Sequence, residues 1–251
     1  MKEAGFLLEY DSDAHRFRAP VPEHGRVLTA SATSTSVFAG AVGVAGAAAA
    51  AGRNPLTLLE AKLDDARRRG GFLALPVRGR YLPGAAEAII AHYDVEPVAL
   101  GGLFLTEFRA LAAEKGAPWD KVLTIDAKFT ATGELTRGLR SYVQAAWGHV
   151  GDRLRERLAD LPPDTVLFLH DAGLAARYHD AGGRELLAEL QNAARRETDT
   201  PHGLWLLCPS EAPQETPTLD GVIVEVLGES ERAVLRGDFL DKLGSGGAAV
   251  A

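Results

Sequence analysis

Short apolar runs recur along this chain, separated by stretches in which apolar residues return every third or fourth position. The runs are GFLALPV (71–77), EPVAL (96–100), TVLFL (165–169), GLWLLCP (203–209) and GVIVEVL (221–227). Apolar residues without polar alternation are what a strand buried on both faces requires. Between the runs, Leu56, Leu59, Leu63 and Ala66 keep helical spacing and stop at Gly70-Gly71. Residues 84–93 and 101–115 also read as helices. Residues 136–161 predict a long amphipathic helix with Leu139, Val143, Ala146, Val150, Leu154 and Leu158 on one face. Further helices are expected over 183–196 and 230–243, while KVLTID (121–126) fits either type. Buried strands alternating with helices predict a mainly parallel sheet between two helical layers, a three-layer α/β domain over residues 56–243. A flexible tail is expected over 244–251. No fixed-period repeat is present.

The amino-terminal part has a different pattern. In GFLLEYDSDAHRFRAP, strand-forming residues flank the turn composition Asp11-Ser12-Asp13-Ala14, so residues 1–28 read as a hairpin. It fits either a winged-helix-like remnant or a cover for the edge of the main domain. Residues 29–55 are Ser/Thr-rich and then Ala/Gly-rich, the composition of a linker. The stretch VFAGAVGVAGAAAAAG is too short and too rich in small residues for a membrane span.

Composition narrows the function. The 251 residues carry a net charge of −7, which argues against a chain whose main work is to grip nucleic-acid phosphates. The basic clusters Arg67-Arg68-Arg69 and Arg195-Arg196 fall where helices should end, as helix dipoles favour. A single cysteine, Cys208, excludes an internal disulfide and fits a reducing cytoplasm. It lies inside an apolar strand and reads as a buried, inert thiol. The seven histidines show no metal-ligand spacing.

In an open parallel α/β sheet, ligands bind at the carboxyl ends of the strands. The loops to inspect are PVRGRYLPG, HDAGLAARY and CPSEAPQ. A triphosphate-gripping loop after the first strand needs Gly-x-x-x-x-Gly-Lys-Ser/Thr, and residues 76–84 hold neither the lysine nor the hydroxyl. Asp171 ends an apolar strand where an Mg²⁺-organising aspartate belongs, but Ala172 follows in place of a second acid. Its other reading is a cap for the next helix or an anchor for the loop. Arg78 and Arg80 are candidates to meet an anion at the first crevice. Ser210, after the fourth strand, is either a nucleotide-sensing hydroxyl or a turn residue beside Pro209.

The order of GGFLALPV, VALGGLFLTEFRALAAEKGAPWDKVLTIDA, TVLFLHDAGLAARY, HGLWLLCPSEAPQETPTLDG and VIVEVL resembles the carboxyl-terminal region of PglW-type serine/threonine kinases. These kinases belong to BREX type 2 phage-resistance systems of bacteria. EYDSDAHRFRAP is similar to the wing-like segment that precedes that region. The resemblance implies an AAA-like topology attached to a kinase and serving a multi-protein defence complex. The kinase signatures are absent: no Gly-rich loop, no His-Arg-Asp loop and no Asp-Phe-Gly. Kinase activity would then lie upstream of Met1 or be lost.

The expected function is a non-catalytic regulatory or protein-interaction module with a degenerate NTPase-like fold, partnered by other BREX proteins or a kinase domain. One alternative is a divergent nucleotide-dependent enzyme that uses ATP and Mg²⁺ through Asp171 with Arg78 or Arg80. Another is a DNA-associated winged-helix fragment built on the hairpin.

Overall fold

A computed structural model describes residues 9–11, 16–18, 54–196 and 198–246. The chain divides into two compact units, Met1–Ala48 and Ala49–Ala251. In the first unit, β1 (Glu9–Asp11) pairs antiparallel with β2 (Arg16–Arg18), Tyr10 opposite Phe17, while the turn expected between them, residues 12–14, lies outside the described residues. The expected linker lies outside the described residues except for Asn54 and Pro55. Asn54 caps the first helix by accepting from the Leu56 N–H, and Pro55 occupies the first turn, where its missing N–H costs nothing.

The second unit contains α1 (Pro55–Arg69), β3 (Gly71–Val77), α2 (Leu82–His92), β4 (Glu96–Ala99), α3 (Leu100–Glu114), α4 (Trp119–Thr132) and α5 (Arg137–Ala159). Then come β5 (Val166–His170), the short α6 (Gly173–Arg177), α7 (Gly183–Ala194), β6 (Gly203–Pro209), β7 (Thr218–Leu219), β8 (Val222–Ile223) and α8 (Gly237–Gly246). KVLTID is therefore helical, inside α4. The carboxyl-terminal helix runs three residues past 243, into the segment expected to be a tail.

Four strands form one parallel sheet in the order β3-β6-β5-β4. Their apolar runs are continuous because alternate residues feed two different cores. Phe72, Ala74, Leu167, Leu169, Leu204 and Leu206 join the core built with α3, α5 and α7. Leu73, Leu75, Val77, Phe168, Trp205 and Leu207 join the one built with α1, α2 and α8. Sheet and helices thus make three layers, an α/β domain. In α5, capped by the Thr136 hydroxyl, all six expected apolar positions are buried. Trp147 on the same helix stacks on Phe104 of α3 at 4.2 Å between centroids. Cys208 is buried, and desolvation pushes its thiol up to about 12. No described helix is long and apolar enough to cross a membrane.

The carboxyl-terminal part departs from the sequence pattern. GVIVEVL does not enter the main sheet: only Val222–Ile223 is a strand, paired antiparallel with Thr218–Leu219 in a hairpin. Residues 232–235, expected inside a helix, instead run parallel to β3. There the Ala233 N–H donates to the Ala74 carbonyl and the Leu235 N–H to the Pro76 carbonyl, both at 2.9 Å. The reason is chemical: Ala233 and Leu235 are apolar at strand spacing and fill the α1–α2–α8 core, whereas GVIVEVL leaves Ile223 and Leu227 largely exposed.

Side chains hold this fifth segment in place. Lys62 donates to the carbonyls of Glu229 and Arg232. Arg195, just past the end of α7, grips Glu231 with two nitrogens at 2.9 and 2.8 Å and lies over the Phe72 ring. Its role is this clamp, beyond the helix-end placement that the sequence indicates. The Arg67-Arg68-Arg69 cluster does occupy the last turn of α1.

Candidate functional site

Two crevices lie at the carboxyl ends of the strands. The first begins where β3 leaves the sheet. Val77 is fully buried and Arg78 follows in extended conformation (φ −65°, ψ 140°); a 3₁₀ turn, Gly79–Tyr81, leads into α2. The start of α2 is broken at Pro83 and Gly84, so its regular turns begin at Ala85. The Ser210 N–H donates to the Val77 carbonyl at 2.8 Å, tying the β6 exit to the β3 exit. The Ser210 hydroxyl accepts from the Ala212 N–H at 3.2 Å, so it serves the turn here.

The far wall comes from the fifth segment and the first turn of α8. Tyr81 presses onto Gly237 so closely that any side chain there would overlap its ring. The Arg80 guanidinium lies over the same ring at 4.6 Å. Arg236 is held by both oxygens of Asp238, at 3.1 and 2.9 Å. Arg232 donates to the Pro213 carbonyl at 2.9 Å and so fixes the loop after β6. Arg78, Arg80, Tyr81, Gln214, Arg236 and Asp238 together line a cleft of about 410 Å³.

The second crevice, at the β5–β4 exit, is filled by the protein itself. Asp171 has left-handed backbone (φ 51°), which aspartate tolerates better than most residues. Its carbonyl accepts from the Gly101 N–H at 2.8 Å. Its carboxylate lies against Gly101, with Oδ2 2.7 Å from where a Cβ would stand. Asp171 therefore faces the start of α3, where a negative charge meets the positive end of the helix dipole. The expectation that it caps the helix after it is corrected: the residue before α6 is Ala172, and no side chain caps it. The reason is the left-handed turn, which carries the aspartate back over the preceding strand's exit. Next to it, burial holds His170 below its ordinary 6.5, against the opposing pull of Asp171 and Glu87.

The structure thus gathers Arg78 and Arg80 into one cleft, places Ser210 at its β6 edge as a turn residue, and sets Asp171 elsewhere. β6 lies between β3 and β5, so the two exits are two strand spacings apart, roughly 10 Å. Arg236 and Asp238 escape sequence reasoning because residues 232–235 look helical by position, while Tyr81 and Gln214 lie in loops marked for inspection but carry no charge that singles them out. The one available signal is the short apolar run Ala233-Val234-Leu235 ending at Arg236-Gly237. Among the described residues, no three His, Cys, Asp or Glu side chains converge on a point that would hold a metal ion. Comparison with protein-family models, curated proteins and solved structures gives no match for this chain.

Proposed function

We infer that this chain is a regulatory or protein-interaction module on an NTPase-like scaffold, serving a bacterial phage-defence assembly of the PglW type. Support for the scaffold comes from strand order. Numbering the five parallel segments along the chain, with residues 232–235 as the fifth, the order is 5-1-4-3-2, that of the AAA-like topology implied by the resemblance.

One observation carries the non-catalytic reading: the loop that should cradle phosphates is occupied by its own packing. Tyr81 rests on Gly237, Pro83 contributes no N–H, and neither a lysine nor a serine or threonine hydroxyl stands in residues 76–84. Asp171, the residue a magnesium ion would need, is turned toward α3. These groups do not fit an Mg²⁺-triphosphate.

Isothermal titration with Mg²⁺-ATP tests this. The expected result is no binding below the millimolar range; micromolar binding that disappears in Asp171→Ala would overturn it. Gel filtration with a PglW-type kinase domain tests the assembly, with co-elution expected and independent elution counting against it.

A further inference from the structure

We propose that the cleft between the turn Gly79–Tyr81 and the start of α8 docks a phosphate monoester carried on an extended peptide segment of a partner protein. This rests on the interaction-module reading and gives it a site and a partner chemistry. The chain carries −7 overall, yet the cleft is lined by Arg78, Arg80 and Arg236 against Asp238, with the Glu211 carboxylate beside Gly79: three positive groups less two negative, a local balance of +1. Arg236 is taken by Asp238. Arg78 and Arg80 are both exposed, with the Glu211 carboxylate against Gly79 between them.

Exposed guanidinium groups offer planar forks of N–H donors that match phosphate oxygens. They are also positioned in advance. Arg78 stands directly after a fully buried strand residue, and Arg80 is stacked on a ring that is itself wedged against Gly237. Ordering them on binding therefore costs less than ordering free surface side chains.

A peptide fits the surroundings better than a nucleotide. A nucleobase needs an open aromatic face, and Tyr81, the one aromatic residue lining the cleft, is covered by Arg80 and abuts Gly237. The strand edge beside it is open. Ala233 and Leu235 turn their N–H groups to β3, so Val234 between them points its N–H and carbonyl the other way. Those groups have no backbone partner among the described residues, and Val234 lines the cleft. An extended peptide added along this edge would place its backbone on Val234 and a phosphate within the arginines.

Fluorescence anisotropy on the full chain tests this, using a labelled Ala/Val peptide with one phosphoserine, its unphosphorylated twin, and AMP as competitor. The phosphopeptide should bind about tenfold or more tighter than its twin. The double substitution Arg78→Gln/Arg80→Gln should remove that difference without changing the thermal melt, because both side chains are exposed. Equal binding of the two peptides, or undiminished binding by the double variant, would overturn the proposal. Displacement by AMP at concentrations matching free phosphopeptide would overturn the peptide as occupant. Mg²⁺-ATP binding lost in Asp171→Ala would sink the non-catalytic reading while leaving the peptide result standing; failure of the peptide alone would remove only this partner chemistry.

Discussion

At the β5–β4 exit the chain has closed its own crevice, with the Asp171 carbonyl on the Gly101 N–H and its carboxylate against the same glycine. At the exit of β3, on the same sheet edge, the fifth segment stands across an open cleft and its arginines are only partly matched by acids. The β5–β4 crevice is closed by backbone, which cannot move aside. The β3 crevice is walled by side chains and by a segment held through Lys62, Arg195 and Arg232. An aspartate at a strand end is thus no guide to where a ligand would enter; what matters is whether the neighbouring helix start has already used it.

The clamp on the fifth segment offers the strongest way to disturb this contrast. Arg195→Ala leaves the Glu231 carboxylate, 14% exposed, without its main partner. It should cost about 1.5–3 kcal/mol in denaturant unfolding. Hydrogen exchange should rise first at Ala233 and Leu235, with the β4–β5 pairing still protected. If both regions open together, the two crevices are not independent.

Placing the same methyl group in each crevice comes next. In Gly101→Ala the new Cβ meets the Asp171 carboxylate at 2.7 Å and the Asp171 backbone carbonyl oxygen at 2.8 Å. Overpacking of this kind costs about 1–3 kcal/mol. In Gly237→Ala the obstacle is the tip of the Tyr81 ring, the end of a side chain beside an open cleft rather than backbone. The loss there should be smaller, about 1 kcal/mol or less. Thermal melts of the pair measure the difference, and a reversed order would contradict the distinction between closed and open exits.

Acid separates the two regions by pH. Burial keeps the folded pKa of His170 below 6.5, so the unfolded chain takes up that proton first. The stability from neutral His170 is complete above pH 6.5 and is lost as pH falls through that value toward the folded pKa. For Glu231, burial alone would raise the pKa, but the Arg195 and Leu227 hydrogen bonds outweigh it and hold the carboxyl below 4.5. Its contribution is complete above 4.5 and fades as pH falls further, through the folded pKa. Melts from pH 7.5 to 3 should show His170→Asn removing the upper part of the acid loss and Glu231→Gln the lower part. The smallest effect is expected for Arg78→Gln, within about 0.5 kcal/mol, since the side chain is exposed.

Elements with long or strict patterns were legible from residues alone. The stripe of α5 is buried at every expected position, and β3 and β6 coincide with GFLALPV and GLWLLCP. The arginines at the β3 exit were legible as candidates because they follow a strand that had to end there. The partners that complete their cleft were not. Arg236 follows Arg78 by more than 150 residues, and the segment leading to it is too short to announce itself as a strand. GVIVEVL has the better strand composition but lost the fifth place, because Ala233 and Leu235 could bury themselves beside β3 while Lys62, Arg195 and Arg232 held the neighbouring chain.

The sequence by itself determined the layers: uninterrupted apolar runs along the strands demand a helical cover on both faces, as burial of apolar surface favours. Only the tertiary structure decided which segment became the fifth strand, that Asp171 turns onto Gly101, and that Tyr81 fills the loop after β3. Those outcomes hang on contacts between residues far apart in the chain, where a left-handed turn or the room above one glycine fixes the direction of a side chain.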